Sequence, residues 1–255
     1  MKNIVFIPNI KLDDNRSTPY HYSIKSWQHF CEKYDCELLV WEDLIFPVED
    51  MKITWQRYYL FDILEANSIE YDQVLMVDAD TIVHPNCPNF FQETDHKYCG
   101  VMNDGCYEWV TRSIRDFNRE LFPNIDPPHP YTYINGGFQI VNKMHKKFFS
   151  NMKDYYLEHK DTIQFAIDKI KAGTDQTIVN YMLKINKVDV KILPPSYNLQ
   201  DLFRKNLLHI PGHSWWPDTL EGLYSAGWVY HFNAIPQNDR HVSYWMERTY
   251  KELYK

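Results

Sequence analysis

Short apolar runs alternate with longer stretches of helical period along the first half of the chain. The apolar runs Lys2–Pro8 and Glu37–Trp41 predict strands, and between them Tyr20–Tyr34 carries apolar side chains at helical spacing. Trp55–Asn67 has the same helical period and precedes Asp72–Val77, whose apolar centre is typical of a strand buried on both faces. This alternation predicts parallel strands joined by crossover helices, and therefore an α/β fold.

The second half shows the same alternation in a less regular form. The predicted strands are Tyr98–Met102, Phe138–Val141, Asp189–Leu193 and Trp228–Phe232, and the predicted helices are Glu108–Leu121, His145–His159, Asp175–Ile185 and Arg240–Tyr254. The sequence has no internal repeat and no linker rich in Gly or Ser. We therefore expect a single domain over residues 1–255, with a division near residue 143 as the alternative.

Composition and charge exclude several classes of protein. Hydrophobic residues make up 44% of the chain and charged residues 24%, which is the balance of a globular protein and not of a disordered one. The 27 basic and 34 acidic side chains leave a net charge of −7, which argues against nucleic acid as the main partner. The 19 Tyr, 14 Phe and 8 Trp supply more ring surface than a core needs, so we expect some of them to line a groove.

Cysteine usage and hydropathy indicate the compartment. The five cysteines are odd in number and lack Cys-x-x-Cys spacing, so they predict neither a disulfide framework nor a zinc site. No stretch approaches the roughly 20 apolar residues that cross a bilayer, and the apolar start IVFIPNI is too short for a secretion signal. We therefore expect a cytoplasmic protein without a transmembrane segment.

Two aspartates directly follow the most apolar predicted strand, in VDADTIV (77–83). In open α/β sheets ligands bind outside the carboxyl ends of the strands. One residue separates Asp78 from Asp80, which on an extended segment puts both carboxylates on the same side. Two such oxygen ligands suit Mg²⁺ or Mn²⁺, whose remaining positions accept waters and diphosphate oxygens. The alternative is that these aspartates form a turn or a helix cap.

Four segments in register resemble one group of enzymes. VDADTIV resembles the metal-binding signature of nucleotide-sugar glycosyltransferases of the GT-A fold, and INGGFQIVN (134–142), GTDQTIVNY (173–181) and HFNA (231–234) resemble the same enzymes in the same order. The set is most similar to the glycogenin-like family 8 glycosyltransferases, which are metal-dependent and retaining. The resemblance implies a single GT-A domain with a mixed, mostly parallel central sheet.

The resemblance also implies the reaction. It predicts transfer of a sugar from a nucleoside diphosphate donor, by family default a UDP-sugar, to a glycan or glycoprotein acceptor with retention of configuration. Residues 1–143 are expected to bind the nucleotide sugar and the metal. Residues 144–255 are expected to face the acceptor and to complete the metal site.

In the resembling family, two acidic residues and a late histidine hold a divalent ion on the donor diphosphate. These ligands map onto Asp78, Asp80 and His231, with Mn²⁺ or Mg²⁺ as the cofactor. A bridging cation suits this chemistry because it neutralises the charge that develops on a departing diphosphate. His209, in LLHIP, is the substitute candidate for the histidine ligand.

The remaining site residues are also assigned by the resemblance. Asp175 and Gln176 are expected to face the anomeric carbon, although the start of a predicted helix makes Thr174 or Asp175 a candidate cap as well. The predicted donor-sugar contacts are Asp104 (with Asn103 as its substitute), Asn135, Gly136 and Arg57, and the predicted nucleotide contacts are Pro8, Asn9, Asp43, Asp78 and Ala79.

The chain departs from the family after its late histidine. The related enzymes usually continue into a Gly and then a Lys-Pro-Trp that grips phosphate, whereas this chain reads HFNAIPQNDR. Ala234 replaces the Gly, and Gln237 stands where the Lys is expected. Arg240 is the candidate that would supply the missing positive charge.

Other functions remain open at this point. A nucleotidyltransferase is disfavoured because PNIKLDDNR lacks glycine, and a glycoside hydrolase because its two carboxylates need a separation of about 5 to 10 Å. Inverting transfer needs only a carboxylate base, for which Asp104, Asp126 or Asp175 is available. A carbohydrate-binding protein or inactive scaffold is the alternative outside enzymes. The aromatic residues of PPHPYTY (127–133) and HSWWP (213–217) either stack on an acceptor sugar or pack internally.

Overall fold

Alternating strands and helices make up the described part of the chain, as the sequence predicts. The computed structural model describes residues 1–10, 20–104, 106–171, 173–200, 227–235 and 242–255. The strands are β1 Lys2–Pro8, β2 Glu37–Trp41, β3 Tyr71–Val77, β4 Thr81–Val83, β5 Tyr98–Met102, β6 Ile134–Asn142, β7 Val190–Leu193 and β8 Val229–His231. The helices are α1 His21–Tyr34, α2 Ile53–Gln56, α3 Leu60–Ala66, α4 Tyr107–Leu121, α5 Lys146–Phe165, α6 Gln176–Ile185 and α7 Val242–Leu253.

The central sheet is mixed and mostly parallel. Within the described ranges its six strands run in the order β2-β1-β3-β6-β5-β7. The pairs β1–β2, β1–β3 and β5–β7 are parallel, whereas β6 is antiparallel to both β3 and β5. The predicted fold class is therefore confirmed.

The antiparallel direction of β6 positions the candidate site. Phe138 pairs with Val77 at the end of β3, and Ile134 pairs with Met102 at the end of β5. The first residues of β6 therefore lie at the edge where the parallel strands end. A separate ribbon, β4 with β8, pairs Thr81 with His231 and so carries that histidine to the end of β3.

Strands β1 and β3 are buried on both faces, as their apolar runs predict. Ile4 and Phe6 of β1 face the larger hydrophobic cluster, which also contains side chains from α3, α5 and α6. Val5 and Ile7 face a second cluster on the other side, which contains Trp27 of α1. The alternation follows from the two-residue period of a strand. Helices therefore cover both faces of these strands.

The structure interrupts the helix predicted over Trp55–Asn67. Helix α2 ends at Gln56, a short 3-10 turn covers Arg57–Tyr59, and α3 begins at Leu60. The stretch is therefore helical through Ala66, as predicted, but with a local change in winding that the apolar period does not reveal. Both Arg57 and Tyr58 lie on the 3-10 turn and are buried.

Two further findings concern the helices and the cysteines. Among the described residues, none of the helices combines the length and the apolar character that crossing a bilayer requires. All five cysteines lie in described ranges and are free thiols.

A buried histidine takes part in the cap of the short 3-10 turn, Lys143–His145, that joins β6 to α5. His145 Nδ1 accepts a hydrogen bond from the Asn142 backbone N–H at 3.0 Å, and Asn142 Oδ1 accepts one from the Met144 N–H at 3.0 Å. This reciprocal arrangement is a capping box. Burial lowers the pKa of His145 to about 4. The folded protein therefore favours the neutral ring.

The lowered pKa of His145 predicts that the folded protein loses stability in mild acid. Between pH 6.5 and about 4 the unfolded chain binds a proton at His145 that the folded chain does not, so the free energy of unfolding falls as the pH falls, by at most roughly 3 kcal/mol. His145→Gln retains a hydrogen-bond acceptor without the titration, and urea unfolding should show a flatter acid profile for this variant. Identical profiles for the variant and the wild type would contradict the prediction.

Candidate active site

Asp78, Asp80 and His231 converge where β3 ends. One ligand atom from each residue lies within 4.8 Å of the other two. His231 Nε2 is 3.1 Å from Asp80 Oδ1 and 3.7 Å from Asp78 Oδ2. The histidine side chain is buried, whereas the Asp78 and Asp80 side chains are 27% and 23% exposed. A ligand can therefore approach the carboxylates from solvent while the imidazole stays in place behind them.

Attraction between opposite charges sets the direction of the pKa shifts of Asp80 and His231. Burial alone would raise the pKa of Asp80, but the neighbouring His231 imidazolium outweighs it and the pKa is lowered. Burial alone would likewise lower the pKa of His231, but Asp80 and then Asp78 outweigh it and the pKa is raised. The three side chains therefore form an ion-paired group in which a positive charge is stabilised between two carboxylates. A divalent cation satisfies the same requirement after displacing the imidazolium proton.

Arg57 connects this cluster to Asp175. Arg57 Nη2 lies 2.8 Å from Asp78 Oδ1, and Nη1 donates to the Gly136 carbonyl at 2.9 Å. Arg57 Nε lies 4.0 Å from Asp175 Oδ2, too far for a hydrogen bond. Burial would lower the pKa of Arg57, but Asp78 and Asp175 raise it overall. The guanidinium is therefore a permanent positive charge between two carboxylates.

Asp175 is turned toward Arg57 and away from the helix that follows it. It occupies the N-cap position of α6 but makes no side-chain cap hydrogen bond. Instead, Asp175 Oδ2 accepts from the Tyr58 hydroxyl at 2.9 Å, and Oδ1 accepts from Thr174 Oγ1 at 2.8 Å. Asp175 is therefore the N-cap residue, as expected, but its side chain does not supply the capping hydrogen bond. The reason is that the Tyr58 hydroxyl and the nearby Arg57 compete for the carboxylate.

Side-chain amides join the other predicted sugar contacts. Asn135 Nδ2 donates to Gln176 Oε1 at 3.0 Å and to Gln200 Oε1 at 2.6 Å. The Gly136 N–H also donates to Gln176 Oε1, at 2.9 Å. The Gln200 backbone N–H donates to Asp104 Oδ2 at 3.1 Å. The structure therefore brings Asp104, Asn135, Gly136 and Gln176 into one network, next to Arg57 and Asp175.

The two consecutive glycines of β6 differ in the space around them. A Cβ at Gly137 would lie 2.5 Å from Asp78 Oδ2 and 2.6 Å from His231 Cε1. A Cβ at Gly136 would be 3.5 Å from the Gln176 side chain, which is an ordinary contact. Close approach of the backbone to the acidic cluster therefore requires glycine at position 137 and not at position 136.

The predicted nucleotide contacts lie at the same edge of the sheet. Pro8 ends β1, and the buried Asn9 donates its backbone N–H to the Trp41 carbonyl at the end of β2, at 2.8 Å. Asp43 is exposed two residues beyond Trp41. Ala79, which lies between the two aspartates, is partly buried and packs against the second hydrophobic cluster.

Several sequence-predicted candidates fall elsewhere. His209, Gln237, Arg240 and the HSWWP segment lie outside the described residues. Asp126 pairs with Lys184 at the surface, apart from the network just described. Ala234, which replaces the family's glycine, has φ of 52°, a left-handed conformation that favours glycine. The backbone at position 234 therefore has a conformation that a glycine would adopt with less strain.

Sequence reasoning missed three residues of the site: Tyr58, Asn198 and Gln200. Tyr58 belongs to an apolar helical pattern that predicts packing alone, and its hydroxyl contact with Asp175 is visible only in three dimensions. Asn198 and Gln200 lie in SYNLQ, which has neither a motif nor a clear period. Gly137 was not assigned a contact, although the two glycines of INGGFQIVN already predict close approach of the backbone to a ligand at this strand.

Comparison with known proteins identifies the fold. No protein-family model and no curated protein sequence matches the chain, so the resemblance to family 8 stays a prediction. A glycosyltransferase involved in the glycosylation of the major capsid of PBCV-1 is similar in structure, with a TM-score of 0.58 at 10% identity over 97% of this chain and 100% of that one.

Two further structures are similar. The glycosyltransferase GlyE of Streptococcus pneumoniae TIGR4 has a TM-score of 0.53 at 15% identity, over 99% of this chain and 60% of that one. An active-site Gln-to-Glu mutant of LgtC has a TM-score of 0.51 at 13% identity, over 99% of this chain and 95% of that one. At such low identity the likeness shows the fold, and the predicted GT-A fold is confirmed.

The two glycines provide a matched test of the acidic cluster as a cation site. Gly137→Ala should displace the Asp78 carboxylate and the His231 ring, and should weaken Mn²⁺ binding by about 10-fold or more. Gly136→Ala should bind Mn²⁺ as the wild type does, because its methyl group meets only an ordinary contact. Calorimetric titration with Mn²⁺ measures both, and circular dichroism checks that each variant is folded. Equal affinities would show that the cluster does not bind the ion.

Proposed function

We propose that this chain is a metal-dependent glycosyltransferase that moves a sugar from a UDP-sugar to a glycan or glycoprotein acceptor. The observation that carries the proposal is the convergence of Asp78, Asp80 and His231 within 4.8 Å at the carboxyl edge of the sheet, in a fold shared with glycosyltransferases. A sugar donor with a diphosphate needs a cation at that edge, next to polar groups that contact its hydroxyls. Both requirements have candidate residues here.

Asp78, Asp80 and His231 would hold the divalent ion. Two carboxylates suit Mg²⁺ and Mn²⁺ equally, and an imidazole ligand favours Mn²⁺, so we propose Mn²⁺ as the cofactor. When bound, the ion neutralises charge that develops on the departing diphosphate. The Arg57 contact to Asp78 Oδ1, at 2.8 Å, leaves Oδ2 directed toward His231 and available to the ion.

Asp104, Asn135, Gly136 and Gln176 form the proposed donor-sugar side. Carboxylate and amide groups in one half-buried network suit the hydroxyls of a hexose. Asp175 and Gln176 would face the anomeric centre. There the Asp175 carboxylate, held by Tyr58, stabilises positive charge that develops on the ring.

We propose retention of configuration, with the leaving phosphate accepting the proton of the acceptor hydroxyl. Inversion would instead require a carboxylate base, and Asp104 and Asp175 are the candidates within the network. Analysis of the product anomer distinguishes the two outcomes.

The nucleotide would lie across the ends of β1 and β2. Pro8, Asn9, Asp43 and Ala79 are the proposed contacts, since the ends of these strands share an edge with Asp78. In this position the base and ribose are on one side of the metal site and the sugar is on the other.

Exposed tyrosines mark the proposed acceptor side. Tyr107 and Tyr131 are 59% and 65% exposed, and their ring centroids are 6.1 Å apart. Tyr107 follows Asp104 closely in the sequence, and Tyr131 closely precedes Asn135, which supports a position near the proposed sugar contacts. Tyr133, in contrast, is buried, and its hydroxyl bonds to Thr177 Oγ1 at 2.6 Å, which supports a packing role.

We also propose that the whole chain is one domain in a reducing compartment. The larger hydrophobic cluster combines residues before and after position 143, such as Phe61 and Phe149, whose rings are 4.8 Å apart. The free thiols fit a cytoplasmic location.

Conservative changes at two carboxylates separate the proposed metal and sugar roles. In the presence of Mn²⁺, Asp80→Asn should weaken binding of UDP by about 10-fold or more, because it removes a ligand of the ion that binds the diphosphate. Asp175→Asn should leave UDP affinity within about 3-fold of wild type and lower UDP-sugar turnover by about 100-fold, because UDP lacks the sugar that Asp175 contacts.

Calorimetry measures the affinity, and release of UDP from UDP-glucose and UDP-galactose measures the turnover. If Asp175→Asn weakens UDP binding as much as Asp80→Asn does, the division between the two roles is wrong. If neither change alters binding or turnover, the proposed function fails.

A further inference from the structure

Buried side-chain amides connect the start of β6 to His231. Asn135, Asn198 and Gln200 are 4%, 0% and 0% exposed, and His231 is 2% exposed. Buried amides without partners would be costly, so their hydrogen bonds are required to be complementary. The orientation of one amide therefore restricts which atoms its neighbours can direct toward it, because each donor must face an acceptor.

Backbone groups determine the orientation of the first amides. The Gly137 N–H donates to Asn135 at 2.9 Å, so that atom of Asn135 must be the oxygen. By the same reasoning, the atom of Gln200 that lies 3.3 Å from the Met102 carbonyl must be the nitrogen. Backbone N–H and C=O groups have fixed roles as donor and acceptor, so these two assignments follow from the backbone alone.

Asn198 then has only one consistent orientation. Its amide lies 3.0 Å from Asn135 Oδ1, which is an acceptor, so the atom that faces Asn135 is Nδ2. Asn198 Oδ1 therefore faces His231 Nδ1, at 3.1 Å. Since an amide oxygen only accepts, His231 Nδ1 must carry the hydrogen. The other ring nitrogen, Nε2, is the one that faces Asp80 and Asp78.

The pairing of Leu199 with β8 explains how residues 198–200 reach the site. The Leu199 N–H donates to the Val229 carbonyl at 2.8 Å, and the His231 N–H donates to the Leu199 carbonyl at 2.7 Å. Leu199 thus aligns alongside β8, and on an extended segment its two neighbours point to the opposite side. Asn198 and Gln200 therefore both enter the amide network.

We propose that Asn198 is a positioning residue that holds His231 in the Nδ1–H tautomer and leaves Nε2 free to bind a cation. The inference rests on the proposed function only in taking His231 as a metal ligand. A histidine ligand whose second nitrogen has a fixed partner is held in orientation as well as in tautomer.

The same residue links the two sides of the site. Asn135 uses both lone pairs of its oxygen, for Gly137 and Asn198, and both hydrogens of its nitrogen, for Gln176 and Gln200. Rotation of the Asn198 amide would set two oxygens against each other and disturb this arrangement. Asn135 therefore joins Asn198 to Gln176 at the sugar side, where the Gly136 N–H fixes the position of the Gln176 oxygen.

Nitrogen NMR of the histidine ring tests the tautomer directly. The protein is labelled with ¹⁵N-histidine and loaded with Cd²⁺, a diamagnetic divalent ion, and the His231 signals are assigned by comparison with His231→Gln. The wild type should show the Nδ1–H tautomer. Finding the Nε2–H tautomer would overturn the proposal, whether or not any variant folds.

Two variants at position 198 separate the histidine contact from the link to Asn135. Asn198→Ala removes both contacts and should weaken Mn²⁺ binding by about 10- to 100-fold. Asn198→Asp retains an acceptor for His231 Nδ1 but opposes the Asn135 oxygen, so it should keep the Nδ1–H tautomer and bind Mn²⁺ at least as well as wild type. Asn142→Ala, a buried asparagine at the far end of β6, is the control and should leave Mn²⁺ affinity unchanged.

These measurements use Mn²⁺ alone, without nucleotide or sugar. A folded Asn198→Ala variant that binds Mn²⁺ like the wild type would overturn the positioning role. If instead the tautomer and the Mn²⁺ affinities agree with expectation but no UDP-sugar is turned over, the proposed function fails while the role of Asn198 stands.

Discussion

The buried guanidinium of Arg57 is the charge around which the candidate site is built. Removing a guanidinium from water costs several kcal/mol unless paired groups replace the solvent, and here Asp78, Asp175 and the Gly136 carbonyl surround it. These partners come from the end of β3, the start of α6 and the start of β6. The need to compensate one buried cation therefore holds three separate segments together, and the proposed cation-binding and sugar-binding sides meet at that charge.

The parts of the site that a sequence predicts are those set by local pattern. A run of apolar residues predicts a buried strand, and the acidic residues that follow it must then lie at the sheet edge, which is where Asp78 and Asp80 are found. His231 was predictable only through the resemblance, because a lone histidine near a short strand has no local signature. The fold class followed from alternation of strands and helices, which the structure confirms.

The parts that were missed depend on contacts between distant segments. Asn198 and Gln200 acquire their roles when Leu199 pairs with β8, and no local pattern encodes that pairing. Asp175 is the N-cap residue of α6 but makes no side-chain capping bond for a related reason, since Tyr58, more than a hundred residues earlier, competes for its carboxylate. Residues whose contacts with distant segments override the structure expected from the local sequence are typical of functional sites.

A thermal-shift panel of nucleotide sugars with and without Mn²⁺ is the most direct test of whether this protein binds its donor through a cation. A ligand that binds only the folded state raises the unfolding temperature by mass action. If the account is right, UDP-sugars will raise that temperature with Mn²⁺ present and will raise it much less when EDTA removes the ion. Equal shifts with and without the ion, or no shift with any nucleotide sugar, would contradict it.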